Sequence, residues 1–417
     1  MPLSVRLSIF YGSLCIFGGI NMPFFPVWLE SKGLGAHDIS LVLAATMFLR
    51  IVAGPVFAFI ADRWENRRGV AILLSWMSLA SVSLFLLTDS FWPIFFVSAL
   101  LMSLWPSVTP LVESIAMRAT REQGVDYGRV RLWCSITFVM AATGGGWLLE
   151  WNPASIIIFC MIGAIAIGAA GAHLLVKERP AAKRLRRPGG QFRISLALAR
   201  HPLFIVGLLT ASLVQATHAV YYAFGTLNWQ QLGYGENLIG ILWAIGVVAE
   251  IILFAFSARV LRRFSAPTLL IIGAGAAILR WTLTAFDPPL WGLFGLQVLH
   301  AATFCAAHLG AMHFVAAAAP GSLAATAQSL YGALSSGVVM GTATLIAGPI
   351  YQAYGGHAYL LSAALGVLGL AGALWLASRW NGGVLIEDTG DNPKTAGETE
   401  TGSNDDRDHP ERTRPGC

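Results

Sequence analysis

Six ionisable residues sit inside long apolar runs of this sequence: Arg50, Glu113, Arg131, Glu250, Arg280 and His300. An ionised group in hydrocarbon costs several kcal/mol unless it faces a partner or water, so such residues mark paths for ions, protons or charged ligands. Glu113 ends one apolar run and Arg131 begins the next, which lets antiparallel helices bring them together as a salt bridge or as part of a binding site. Glu250 lies in Val247-Val248-Ala249-Glu250-Ile251-Ile252, with no sequence neighbour to neutralise it. Protonation or pairing with Arg280 makes it tolerable there, and a carboxyl that takes up and releases a proton suits proton-driven work. His300 stands one turn from Thr303 and is either a packing residue or a member of a polar cluster with Arg280 and Glu250. Arg50 is 12 residues, roughly 18 Å along a helix, from Asp62; it lines a vestibule or snorkels outward.

No GxxxxGK[ST] loop, HExxH or paired CxxC occurs, so neither ATP hydrolysis nor a common metal site is indicated. The expectation is no metal and no cofactor, with an ion gradient as the energy source. The five cysteines, Cys15, Cys134, Cys160, Cys305 and Cys417, show no paired spacing and read as small core residues instead of metal ligands or disulfides.

The elements that must position these residues follow from composition. Of 417 residues, 56% are hydrophobic and only 12% charged, with a mean hydropathy of +0.64; soluble domains carry about 25% charge. A water-soluble enzyme is excluded, and the long continuous apolar runs are unlike the alternating segments of a β-barrel. Twelve spans are predicted, near 5–29, 38–61, 70–88, 91–114, 129–149, 153–176, 202–226, 237–258, 266–286, 290–315, 324–349 and 357–379. The first is long enough to cross the bilayer and lacks the form of a cleavable signal.

Basic residues alternate between the connecting loops. One side holds Arg63, Arg67 and Arg68, then Arg118, Arg121 and Arg129, the run from Lys177 to Arg200, and Arg259, Arg262 and Arg263; the other holds only Lys32. By the positive-inside rule both termini are cytoplasmic. The chain therefore divides into an N-terminal six-helix half (1–176), a basic cytoplasmic linker (177–201), a C-terminal six-helix half (202–379) and a polar tail (380–417) expected to be disordered. Asp62 to Arg68 after the second span corresponds to Arg259 to Arg263 after the eighth, a weak internal repeat of the kind found in secondary transporters. The net charge of +5 is thus an orientation signal and not a nucleic-acid footprint.

Gly54-Pro55, Ala61-Asp62-Arg63 and Arg67-Arg68 resemble the loop motif between helices two and three of the major facilitator superfamily, although Glu65-Asn66 stand where that family usually has a glycine turn. In that family the acid and the basic residues make charge contacts that favour one gate conformation, which is what the resemblance implies for Asp62, Arg67 and Arg68. Longer segments resemble the 3-phenylpropionic acid transporter branch: Tyr127 to Trp133, Ala216 to Tyr222, Leu242-Trp243 with Gly246 to Glu250, Leu279-Arg280-Trp281 and Gln297 to His300. The likeness covers the twelve spans and excludes the tail.

That branch is similar to the lactose permease group of proton symporters. Glu113 and Arg131 match the group's sugar-binding acid and arginine in position, and Glu250, Arg280 and His300 match its second-half polar cluster. The group's second carboxylate, three residues after the histidine, is here Thr303. The resemblance implies an all-α integral membrane fold of two six-helix halves and no enzyme activity. It further implies import of a small organic anion, such as an aromatic monocarboxylate, with a proton, by a monomer in the inner membrane. Arg131 or Arg280 would meet the carboxylate, with Tyr222 and Trp133 among the aromatic candidates, and Glu250, His300 and Arg280 would couple the proton. A neutral-sugar or nucleoside symporter, an exporter of hydrophobic compounds and a non-transporting receptor are the alternatives.

Overall fold

The computed structural model describes residues 2–123, 127–175 and 188–386; the basic run from Lys177 to Arg187 and the tail from 387 onward lie outside them. Among the described residues the chain is helical, with no strand. Apolar sequence leaves the backbone no water to bond with, and a helix satisfies its N–H and C=O groups within one segment. The first half contains α1 (Leu3–Ser31), α2 (Ala36–Arg63), α3 (Arg67–Ser83), α4 (Phe91–Gln123), α5 (Tyr127–Glu150) and α6 (Ile156–Ala172). The linker ends in a helix, α7 (Pro188–Arg200). Then come α8 (Pro202–Ala216), α9 (Ala219–Gln231), α10 (Glu236–Ala255), α11 (Ser257–Arg263), α12 (Ala266–Thr284), α13 (Leu290–Val298), α14 (Ala307–Ala318), α15 (Ala324–Gly332), α16 (Met340–Tyr354) and α17 (Tyr359–Arg379).

Ten helical stretches among the described residues are long and apolar enough to cross a membrane. Two places account for the difference from the twelve predicted spans. The helix expected over 153–176 is 17 residues, Ile156–Ala172, about 26 Å at 1.5 Å per residue. The last two predicted spans form one 59-residue stretch, Gly321–Arg379, which reverses at Gly355, a glycine with φ of 55°.

α1 packs against α5 and α6, and α2 and α3 against α4; beyond the linker α12 packs against α17 and α14, and α17 against α8. The two groups meet along α5 with α10 and along α2 with α16. These crossings are close because glycines supply no side chain: a Cβ at Gly240 would stand 2.5 Å from the carbonyl oxygen of Ala142, and one at Gly348 would stand 2.9 Å from that of Ala36. Both lie toward the end of the molecule where α1 finishes and α2 and α10 begin, and there Glu150 of α5 accepts the backbone N–H of Asn237 at 2.8 Å. We call this the sealed end. Toward the opposite end Val52, Val56 and Phe59 of α2 and Leu132 and Trp133 of α5 are exposed.

Two expectations are corrected. Cys15 of α1 and Cys134 of α5 are joined as a disulfide, with Cα atoms 5.1 Å apart; they are 119 residues apart in sequence, and only the α1–α5 packing brings them together. Cys160 and Cys305 are free. The tail is ordered over 380–386: Trp380 packs on Phe314, with ring centroids 4.9 Å apart, and the Leu385 N–H donates to the Ala318 carbonyl at 3.0 Å. Its first residues are apolar enough to bury, and the polar composition starts further on. The turn after α2 needs no glycine. Glu65 itself adopts the left-handed conformation (φ 49°), and the Asn66 side chain caps α3 by accepting the Gly69 N–H at 2.9 Å.

Candidate functional site

Two interruptions of regular helix converge on Arg280. α12 carries the arginine and lies deep among its neighbours because Gly273 faces Ala307 and Gly366 of α17 faces Ile278. The predicted seventh span breaks between α8 and α9, and His218 stands at the join. After α13 the chain passes through a π-helical turn, Ala301–Ala306, which begins next to His300 and contains Thr303. Such turns carry an extra residue and re-aim the side chains around them.

Arg280 is fully buried. Its Nη1 donates to His300 Nδ1 at 3.1 Å and to Thr303 Oγ1 at 3.2 Å, and its Nη2 donates to Gln297 Oε1 at 2.9 Å. Tyr221 also donates to Gln297 Oε1, at 3.2 Å. Every one of these partners is uncharged or neutral-capable, and no carboxylate among the described residues lies within ion-pair distance of the guanidinium. Three of the five guanidinium N–H groups are used, and Nε has no partner.

Because arginine only donates, His300 Nδ1 must accept, so the neutral ring carries its proton on Nε2. That nitrogen faces Glu250 Oε2 at 3.7 Å. His218 is arranged the other way: its Nδ1 meets the Gln215 carbonyl at 3.0 Å and must donate, which leaves Nε2 to accept from Thr303 Oγ1 at 3.1 Å. Two lines of hydrogen bonding thus leave Arg280, one through Thr303 to His218 and one through His300 toward Glu250. The pairing of Glu250 with Arg280 expected as one possibility is indirect, since His300 stands between them.

Aromatic rings enclose the cluster. Tyr221 stacks on Trp243 at 4.3 Å between centroids, His218 stacks on Tyr222 at 5.4 Å, His300 on Phe304 at 5.3 Å, and Trp281 on Tyr359 at 5.6 Å. The Arg280 Cζ atom lies 4.3 Å from the Trp281 ring centroid and 5.1 Å from that of Tyr221.

The structure brings Tyr222 into this group through His218 and Trp243. Trp133 is exposed on α5 and shows no ring contact among the described residues. Glu113 and Arg131 form an ion pair, Arg131 Nη1 to Glu113 Oε1 at 2.8 Å. Arg131 is in electrostatic reach of Glu250 and of His308, and His308 stacks on Phe304. Asp62 accepts from Arg67 Nε at 3.0 Å and Nη2 at 2.9 Å. Arg68 does not join that pair: it donates to the carbonyls of Leu175 and His173, at 2.6 and 2.8 Å, at the end of α6. Arg50 is exposed on α2 and apart from both clusters.

His218, Gln297 and Tyr221 were not singled out as site residues from sequence. Neutral polar side chains in a span raise no alarm comparable to an intramembrane charge, although all three fall within the segments that carry the family resemblance.

A family model described as the MFS_1 like family matches residues 2–361. The chain is 31% identical over 345 residues to the probable 3-phenylpropionic acid transporter of Escherichia coli, covering 81% of this chain and 88% of that one. It is 27% identical to the maltose permease of Geobacillus stearothermophilus, over 89% of this chain and 94% of the relative. Among solved structures, the nucleoside transporter NupG superposes with a TM-score of 0.76 at 16% identity, covering 91% of this chain and 99% of its own. A D-xylose-proton symporter superposes at 0.67 with 12% identity, covering 91% and 97%.

Proposed function

We propose that this chain, which belongs to the MFS_1 like family of membrane transporters, imports a small aromatic monocarboxylate together with a proton. The observation that carries the reading is Arg280, a fully buried guanidinium with no acidic partner and donors to spare. A buried cation without a counter-charge is costly, and a carboxylate ligand supplies the missing charge through charge-assisted hydrogen bonds. Arg131, the other candidate, already has Glu113 as its partner. The rings around Arg280 suit an aryl group on the same ligand, and the Escherichia coli relative named for 3-phenylpropionic acid supports that choice of probe.

Glu250 is the proton carrier in this reading. It faces the protonated nitrogen of His300, whose other nitrogen is held by Arg280, so a charge change at either end is felt at the other. Carboxylate binding at Arg280 removes cationic field from His300 and favours a proton in the cluster; loss of both ligand and proton restores the original balance. The substrate is thereby tied to the proton without a direct contact to Glu250. The gate contacts are Asp62 with Arg67, while Arg68 ties the start of α3 to the end of α6.

Orientation follows the basic loops: the end that carries Arg63, Arg67 and Arg68 faces the cytoplasm and the sealed end faces outward, in an inner membrane. No bound cofactor is part of the mechanism; the proton gradient drives it.

A neutral-sugar symporter is the second reading, favoured by the Glu113–Arg131 pair and by the maltose permease relative. Uptake of labelled 3-phenylpropionate into vesicles containing the purified protein, with an inward proton gradient, separates the two. Accumulation that collapses with a protonophore supports the carboxylate reading. Absence of uptake, with accumulation of a neutral sugar instead, overturns it.

A further inference from the structure

Besides the Nη groups of Arg280 there is a second set of donors here that the described residues leave unused. Arg280 Nε, Trp281 Nε1 and the Tyr359 hydroxyl are all buried and all lack a partner. Few buried polar groups in a folded protein are left unsatisfied, and each costs about 1–3 kcal/mol. Other buried side-chain atoms among the described residues, Trp229 Nε1 and Ser212 Oγ among them, also lack partners; these three stand out because they sit on adjoining residues. They are neighbours: the Trp281 and Tyr359 rings are parallel within 9° with centroids 5.6 Å apart, Arg280 lies over the Trp281 ring, and Tyr359 is in electrostatic reach of Arg280.

The surroundings fit an anion. The Tyr359 hydroxyl abuts Gly225 of α9, where an added Cβ would stand 3.4 Å from that oxygen, with the Tyr221 ring beside it. The acid on this side, Asp287, is in electrostatic reach of Tyr359 but sits exposed in the turn after α12 and makes no ion pair with Arg280. One carboxylate has two oxygens and about four lone-pair directions, enough to accept all three donors.

We propose that Arg280 Nε, Trp281 Nε1 and Tyr359 Oη form a carboxylate cradle on the sealed-end side of α12, so that Trp281 and Tyr359 set the preference for carboxylates over neutral ligands. This rests on the carboxylate reading above and adds two residues to it. His300, Thr303 and Gln297 then hold the guanidinium in place through Nη1 and Nη2, and the ligand's apolar part lies among the rings of Tyr221, Tyr222 and Trp243.

The test uses the full chain purified in detergent and compares 3-phenylpropionate with 3-phenylpropan-1-ol, which has the same ring and reach but no charge. Dissociation constants come from ligand-induced shifts in unfolding temperature. Tyr359→Phe and Trp281→Phe each keep an aromatic ring and remove one donor. Each is expected to weaken 3-phenylpropionate about tenfold or more, the loss of one hydrogen bond to a charged group, while leaving the alcohol within about twofold. A purely structural role for these residues would weaken both ligands alike. If either stable variant keeps the wild-type ratio, its residue is outside the cradle; if both do, the cradle is overturned and the carboxylate reading stands. If the wild-type protein shows no preference for the carboxylate, that reading falls and the cradle falls with it.

Discussion

In the proposed reading Arg280 is the residue that meets the substrate, and lysine does not reproduce its geometry. A guanidinium addresses Gln297, His300 and Thr303 from fixed directions and keeps N–H groups for a ligand, whereas an ammonium is a compact charge on a flexible stem. Arg280→Lys is therefore expected to lower kcat/KM for carboxylate uptake at least tenfold, about 1.4 kcal/mol or more, with helical content unchanged by circular dichroism. Glu250→Gln keeps the shape of the carboxyl and removes its titration. It should abolish gradient-driven accumulation and leave substrate exchange between equal concentrations intact; accumulation at the wild-type level would remove Glu250 from the coupling step. The charged members of the cluster were legible in the sequence because an arginine, glutamate and histidine in apolar runs violate the solvent rule for lipid. Gln297 and His218 were not, because neutral polar side chains are common in spans and only geometry reveals that they bond to Arg280 and Thr303. The disulfide between Cys15 and Cys134 was hidden for the same reason, as sequence spacing says nothing about which helices touch.

At the scale of elements, the spans were readable from apolar length, and the places where helix regularity fails were not. Neither the join at His218 nor the π-helical turn at Ala301–Ala306 is announced by proline or glycine, and both depend on how α8, α12 and α14 pack. Regular helix there would rotate His300 and Thr303 relative to each other by about 100° per inserted residue, so the interruptions are part of the site. The turn from α2 to α3 teaches the opposite lesson. The lack of the family's glycine is real, and the chain solves it with Glu65 in left-handed geometry and Asn66 as the cap. Left-handed geometry costs a non-glycine residue about 1 kcal/mol. Glu65→Gly should accordingly raise thermal stability, read as an upward shift in unfolding temperature. Asn66→Ala should lower it by about 1 kcal/mol through loss of the α3 cap. An unchanged melting curve for both would show that this turn does not limit unfolding.

For the whole molecule, the alternation of basic loops predicted two helical halves, but not which end would be closed or which helices would close it. Closure needs backbones to touch, and the small residues that permit this are frequent throughout the spans, so their number in the sequence does not locate the contact. The structure locates it: Gly240 of α10 meets the backbone of α5 at Ala142 and Thr143, and Gly348 of α16 meets α2 at Ser40 and Ala36. If transport proceeds by rocking of the halves about the Arg280 cluster, sealing at these glycines is one half of the cycle and their separation is the other. A large side chain at Gly240 then bars one half only. Gly240→Trp is expected to hold the sealed end open, to abolish accumulation and exchange alike, and to retain 3-phenylpropionate binding in detergent, because Gly240 does not touch Arg280 or its partners. Opening is read independently by thiol labelling of Gln231→Cys, which lines the polar recess formed with Glu30, Tyr351 and Gln352 at that end, against a background carrying only the native cysteines. Faster labelling in the Gly240→Trp protein, with binding kept and movement lost, ties the glycine crossing to alternating access. Wild-type exchange in the same variant would mean that the halves do not need this crossing to close, and that the sealed end is a rigid part of the scaffold.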